Sequence, residues 1–270
     1  MIVTTKIHVI SDLNLGFNEF STQDEILPDC DVVIINGNIG CLKRSMFFAE
    51  TLCNKYPDIP FIFNLGELEL YYRVGEKHKN ELKNSLKLRK ESYHGWPKNL
   101  YYSDDPIRID LKNGQPIDVL CVYGFPKIKK YTGDWKNSHW HKHYVEDVVW
   151  LDDPSSYPEK PQETSNVCHG ELPIWASIEW INQMHEVEYK KIKTWELDAG
   201  VKKILVTHIN PYNDSRLKDI SNSPYLIHLN KGVWITSNTQ CNGVNFLGSN
   251  LYSNPGSGTI ARSTVFTVKN

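Results

Sequence analysis

Lys6-Ile7-His8-Val9-Ile10-Ser11-Asp12-Leu13-Asn14-Leu15-Gly16-Phe17, residues 6 to 17, is the stretch from which the rest of the chain can be read. Ile7, Val9 and Ile10 are apolar and β-branched, and the polar turn Ser11-Asp12-Leu13-Asn14 closes at Gly16. That order describes a central strand handing a carboxylate to the rim of a sheet. Asp31 to Asn36 (DVVIIN) is an unbroken β-branched run, as expected of a strand covered on both faces, and it ends at Gly37-Asn38-Ile39-Gly40. Leu42 to Tyr56 follows, with Leu42, Met46, Ala49 and Leu52 on one helical face and a stop at Pro57. Strand, glycine-bearing polar turn and helix make the βαβ rhythm of an α/β protein.

The same reading continues along the chain. Pro60 to Asn64 and Ile117 to Tyr123 are strands, the first running into Leu65-Gly66-Glu67-Leu68-Glu69 and the second into Gly124-Phe125-Pro126. Arg73 to Tyr93 reads as a charged helical segment with a solvated face. Ile174 to Leu197 is the clearest helix, with Ile174, Ile178, Ile181, Met184, Ile192 and Trp195 forming a core-facing stripe. Lys203 to Val206 is a strand that delivers Thr207-His208, and Gly232 to Thr236 is another. Val244 to Leu251 and Gly258 to Val268 alternate like closing antiparallel strands. Lys127 to Asp153 is aromatic and basic, and Pro154 to Pro173 is rich in Pro and Ser. Together, 127–173 reads as a surface insertion in a single domain spanning 1–270.

Composition narrows the function classes. The 270 residues are 40% hydrophobic and 23% charged, an ordinary globular balance, and the net charge of −2 supplies no global field for nucleic acid or anionic membrane. No apolar run approaches the roughly 18 residues of a membrane span, which gives an expectation of a soluble, cytoplasmic protein. Six cysteines lie far apart without a CxxC pair, the pattern of reduced thiols. Ser-His-Asp elbows, P-loops and GxGxxG motifs are all absent.

Strand ends carrying Asp12, Asn38, Glu67, His208 and Asn238/Gln240 occur in the order and spacing of the five motifs of the calcineurin-like metallophosphoesterases, across nearly the whole chain. Ser11-Asp12-Leu13-Asn14 resembles the opening SDxH, Gly37-Asn38 the GD, and Gly66-Glu67-Leu68-Glu69 the GNHE. Thr207-His208 resembles the fourth-motif histidine, Ser237-Asn238-Thr239-Gln240 the GHTH, and Asn254-Pro255-Gly256 the turn that follows it. The resemblance implies a four-layer αββα sandwich of two mixed sheets with a pocket at the strand ends. In that family, two divalent metals generate a hydroxide and clamp phosphoryl oxygens.

The chemistry that the resemblance implies is mostly replaced here. Of the seven usual protein ligands, only Asp12 and His208 survive in kind. The bridging aspartate is Asn38, and two dications about 3.5 Å apart repel by roughly 20 kcal/mol at an effective dielectric near 20, which a neutral amide does not offset. Asn14, Asn238 and Gln240 stand where imidazoles would, and Leu68 stands at the histidine that assists the leaving group, so no catalytic residue is assigned. The expectation is an inactive or nearly inactive homologue that binds or regulates a protein partner. Asp12, Asn38, Glu67 and His208 are at most a weak metal set for one Mn²⁺ or Mg²⁺, and Asn14, Asn238, Gln240 and Glu69 are pocket lining. No other cofactor is expected.

A second candidate surface lies in the insertion. Lys129 and Lys130 with Trp135 and Trp140 could neutralise and stack a single strand of nucleic acid, or meet a protein. His139, His141 and His143 alternate, so that in a strand they would share one face and could bind Zn²⁺ or Ni²⁺, yet no cysteine or carboxylate lies at a convincing distance to complete the shell. An exposed aromatic loop is the simpler reading.

Overall fold

The computed structural model describes residues 4–13, 29–40, 42–66, 69, 97–102, 105–124, 127–128, 178–195, 201–208, 220–221, 233–236, 251–253 and 264–269. In chain order the elements are β1 (Thr4–Ile10), β2 (Val32–Asn36), α1 (Leu42–Lys55), β3 (Phe61–Asn64), β4 (Leu100–Tyr101), β5 (Ile107–Asp110), β6 (Pro116–Val122), β7 (Lys127–Ile128), α2 (Ile178–Thr194), β8 (Lys202–Thr207), β9 (Ile220–Ser221), β10 (Val233–Thr236), β11 (Leu251–Ser253) and β12 (Thr264–Lys269).

They build a mixed α/β structure around two five-stranded sheets, ordered β12-β1-β2-β3-β4 and β11-β10-β8-β6-β5, with β7 and β9 forming a separate antiparallel pair. Each large sheet has four parallel strands and one antiparallel edge, β12 beside β1 in the first and β5 beside β6 in the second. Because the parallel strands share a direction, their carboxyl ends gather at one edge of each sheet.

Side-chain alternation divides the apolar residues into three clusters. Ile7, Val9, Val32, Ile34 and Ile62 of the first sheet join Ile117, Val119, Ile204, Val206 and Ile235 of the second. Val33, Ile35, Phe61 and Phe63, on the opposite face, pack with Met46, Phe48, Ala49 and Leu52 of α1. Leu120, Val122 and Leu205 pack with Ile192 of α2 and Trp195 just beyond it. β2 is therefore apolar at consecutive positions because both of its faces are covered, and each fully buried side chain of this size contributes about 1.5–3 kcal/mol.

α1 and α2 each end on a side-chain cap. Asn99 donates from Nδ2 to the carbonyls of Tyr56 (3.0 Å) and Ile59 (2.7 Å), satisfying groups beyond the end of α1. Lys203, buried on β8, donates to the Trp195 carbonyl (2.6 Å) with its ammonium 4.3 Å from that residue's ring centroid, and burial lowers its pKa.

The expected strands and helices recur where the described residues cover them, with one correction. β11 is not a closing antiparallel strand, since it runs parallel to β10. Residues 244–250 of the expected strand lie outside the described residues. β12 is antiparallel to β1. β4 and β5 were not anticipated. The charged segment 73–93 and residues 129–173 of the insertion lie outside the described residues. Among the described residues, no helix is long and apolar enough to cross a membrane, and Cys30, Cys53 and Cys121 are free thiols.

Candidate functional site

The carboxyl ends of the two sheets are tied together by asparagines. Asn36 ends β2 and Asn64 ends β3, and they are register partners in the first sheet. Asn36 Nδ2 donates across to the Thr207 carbonyl at the end of β8 (2.8 Å). Asn64 Nδ2 donates to the Val122 carbonyl at the end of β6 (3.1 Å) and to Asn36 Oδ1 (2.9 Å). All of these bonds are buried, where a neutral amide meets its hydrogen-bonding needs without the cost of a charge.

Just beyond these bridges the backbone turns sharply. Asp12 and Asn38 both sit in the left-handed region, at φ 55° and 54°, which Asp and Asn tolerate better than other side chains, and Gly37 has φ 76°. The Asp12 amide donates to the Gly37 carbonyl (3.0 Å), fastening the turn after β1 to the turn after β2. A Cβ on Gly66 would lie 2.4 Å from the Asn38 nitrogen, so the turns after β2 and β3 touch backbone to backbone.

Glu69 holds that contact. It is 2% exposed, and its carboxylate accepts from the amides of Asn38 (2.9 Å), Ile39 (2.9 Å) and Gly66 (2.8 Å) and from the Ser45 hydroxyl of α1 (2.8 Å). Two bonds to each oxygen use the acceptor capacity of the group. The second sheet has a counterpart in Glu188 of α2, which accepts from the amides of Tyr123 (2.9 Å) and Gly124 (3.1 Å; φ 90°) at the end of β6.

Asp12, Asn38 and His208 are brought together at this rim. Asn38 Nδ2 donates to Asp12 Oδ1 at 3.1 Å. His208 is fully buried, its amide donates to the Tyr123 carbonyl (3.1 Å), and its ring lies 5.7 Å from that of Tyr123. Its Nδ1 is 2.9 Å from the Asn36 carbonyl. A carbonyl only accepts, so Nδ1 carries the proton, and in the neutral ring Nε2 then carries the lone pair. Metal-ligating imidazoles are commonly held this way.

The donor set does not fit a dinuclear centre. Such a centre needs anionic oxygen between its cations, and the group that meets the Asp12 carboxylate here is the neutral Asn38 amide, which turns N–H toward it. Among the described residues, no group of three or more His, Cys, Asp and Glu side chains comes together as a metal cluster.

Comparison with solved structures finds a likeness to the crystal structure of a dimetal phosphatase from Danio rerio. It covers 93% of this chain and 87% of that one, at 10% sequence identity and a TM-score of 0.40. No protein-family model matches the chain, and no curated protein does. The chemistry is therefore read from the residues themselves.

Of the other sequence-predicted positions, Asn14, Glu67, Leu68, Asn238 and Gln240 lie outside the described residues, as do Lys129, Lys130, Trp135, His139, Trp140 and His141. Glu69 is described, and both of its oxygens face backbone amides and Ser45. Sequence reasoning missed Asn36, Asn64 and Glu188. The asparagines had a signal, since each ends an otherwise apolar strand one residue or two before a Gly turn. Glu188 had none, as its partners are distant in sequence.

Proposed function

We propose that the chain is a metallophosphoesterase-type αββα sandwich whose centre has been converted from phosphoester chemistry to a binding or regulatory role. The observation that carries this reading is the charge inventory of the rim. Asp12 and His208 keep family-like groups, Asn36, Asn38 and Asn64 are neutral amides, and the carboxylate of Glu69 is spent on backbone. A hydroxide-generating dinuclear centre needs several anionic ligands to offset the mutual repulsion of its metals. The working surface would be the pocket rim together with 127–173, and the partner a protein.

Purified protein assayed against bis-p-nitrophenyl phosphate with Mn²⁺ or Mg²⁺ is expected to show no turnover above buffer. Metal-dependent turnover that disappears in His208→Ala would overturn the proposal.

One observation favours a second reading, a hydrolase using one cation held by Asp12, Asn38, Glu67 and His208. The Nδ1–H of His208 is committed to the Asn36 carbonyl, which orients the ring as a ligand would be oriented. The same assay separates the two readings.

A further inference from the structure

Asn38 is held in an orientation that opposes metal binding. Its backbone is fixed by the left-handed turn at φ 54° and by the bond from its amide to Glu69. Its side chain is oriented by one bond, Nδ2 donating to Asp12 Oδ1 at 3.1 Å, with Oδ1 on the side of Gly66, where an added Cβ would lie 2.8 Å away. Beside a carboxylate, which only accepts, an amide presents its NH₂ group.

We infer that Asn38 acts as a built-in substitute for a cation: its amide N–H satisfies the Asp12 carboxylate, so that the rim takes up neither a divalent metal nor a phosphate. The inference rests on the proposal that the centre has been converted. A cation held between Asp12 Oδ1 and Asn38 would have to displace this hydrogen bond and turn the amide over to offer its oxygen. Without a cation, Asp12 leaves the rim with negative charge, which repels phosphate. Ligands suited to the pocket are therefore neutral or cationic hydrogen-bond donors.

The inference makes one substitution decisive. Asn38→Asp keeps the size and the tolerance for positive φ, replaces the donor by a second carboxylate beside Asp12, and creates a site that a dication relieves. Calorimetric titration with Mn²⁺ is expected to show no binding by the wild-type chain up to millimolar metal. Asn38→Asp should bind at least about 100-fold more tightly, as expected for one added unit charge within a few ångströms of a dication. Inorganic phosphate should bind the Asp variant only when Mn²⁺ is present, and adding His208→Ala should remove the gain.

Asn38→Gly also suits the backbone angle and drops the donor, so it decides the matter if the Asp variant does not fold. It should gain weaker Mn²⁺ binding. Tight Mn²⁺ binding by the wild type that is lost in His208→Ala would overturn the inference, as would variants that fold and gain nothing. Ester hydrolysis by the wild type without bound metal would overturn the proposed function and leave this inference standing. Bound Mn²⁺ without hydrolysis would do the reverse.

Discussion

Glu69 and Glu188 do the same job on opposite sheets by different means. Glu69 stands three residues from one of its partners and gathers the turns after β2 and β3 onto α1, so it ties together neighbours in the same sheet. Glu188 reaches from α2 to the end of β6, whose Tyr123 carbonyl in turn receives the His208 amide. The first clamp shapes the turn that bears Asn38, and the second supports the strand end against which His208 rests. The rim is thus assembled from two separately anchored halves, and Asp12 and His208 belong to different halves.

That comparison can be tested by weakening one half at a time. The largest effect is expected for Glu69→Ala, which leaves three backbone amides short of an acceptor and should cost about 4 kcal/mol in urea denaturation, while the Ser45 hydroxyl keeps the Gly40 carbonyl. Thiol labelling adds the location. Burial pushes the Cys121 thiol up to about 12 and that of Cys53 higher still, so each reacts only when its surroundings open. Glu69→Ala should accelerate labelling of Cys53, which packs in the α1 cluster, more than that of Cys121 on β6; equal acceleration would mean that the halves are not independent.

Acid should act next most strongly. His8 is buried on β1, and burial alone pushes its pKa down to about 4 from an ordinary value near 6.5. The unfolded chain therefore takes up the proton before the folded one does. Stability is complete above about pH 6.5 and falls as the pH drops toward 4, by about 3 kcal/mol across that window. Comparing the wild type with His8→Leu at pH 7.5 and 4.5 isolates this contribution from carboxylate titration, and identical pH profiles for the two proteins would contradict it.

The smallest effect is expected for Glu188→Ala, which exposes the shortfall of two amides and should cost about 2 kcal/mol. Here the labelling preference should reverse, with Cys121 accelerated more than Cys53.

The parts of the fold legible in the sequence were those in which one strand or helix carries its own pattern. DVVIIN declared a strand covered on both faces, and α1 declared its stripe and its Pro57 stop. β4 and β5 did not, because strands as short as Leu100–Tyr101 and Ile107–Asp110 are defined by the neighbour they pair with rather than by a pattern long enough to stand out. At the site, residue types and their order were legible at Asp12, Asn38 and His208. The direction in which the Asn38 amide points was not, because amide orientation depends on the partner it meets. Glu188 was illegible for a related reason: a carboxylate on a helix becomes a clamp only through the loop it happens to face.

The asparagine bridges at the ends of β2 and β3 have a mechanical consequence. Two sheets separated by aliphatic side chains can slide, because dispersion contacts are nearly indifferent to direction. Asn36 and Asn64 bolt the sheets together at the rim through buried, directional bonds to Thr207 and Val122, whereas the bonds described at the far end, from Asn113 to the Thr4 carbonyl and from Lys112 to Asp58, are exposed. Sliding of one sheet over the other should therefore meet more resistance beside Asp12 than at the far end, where water competes for the crossing bonds.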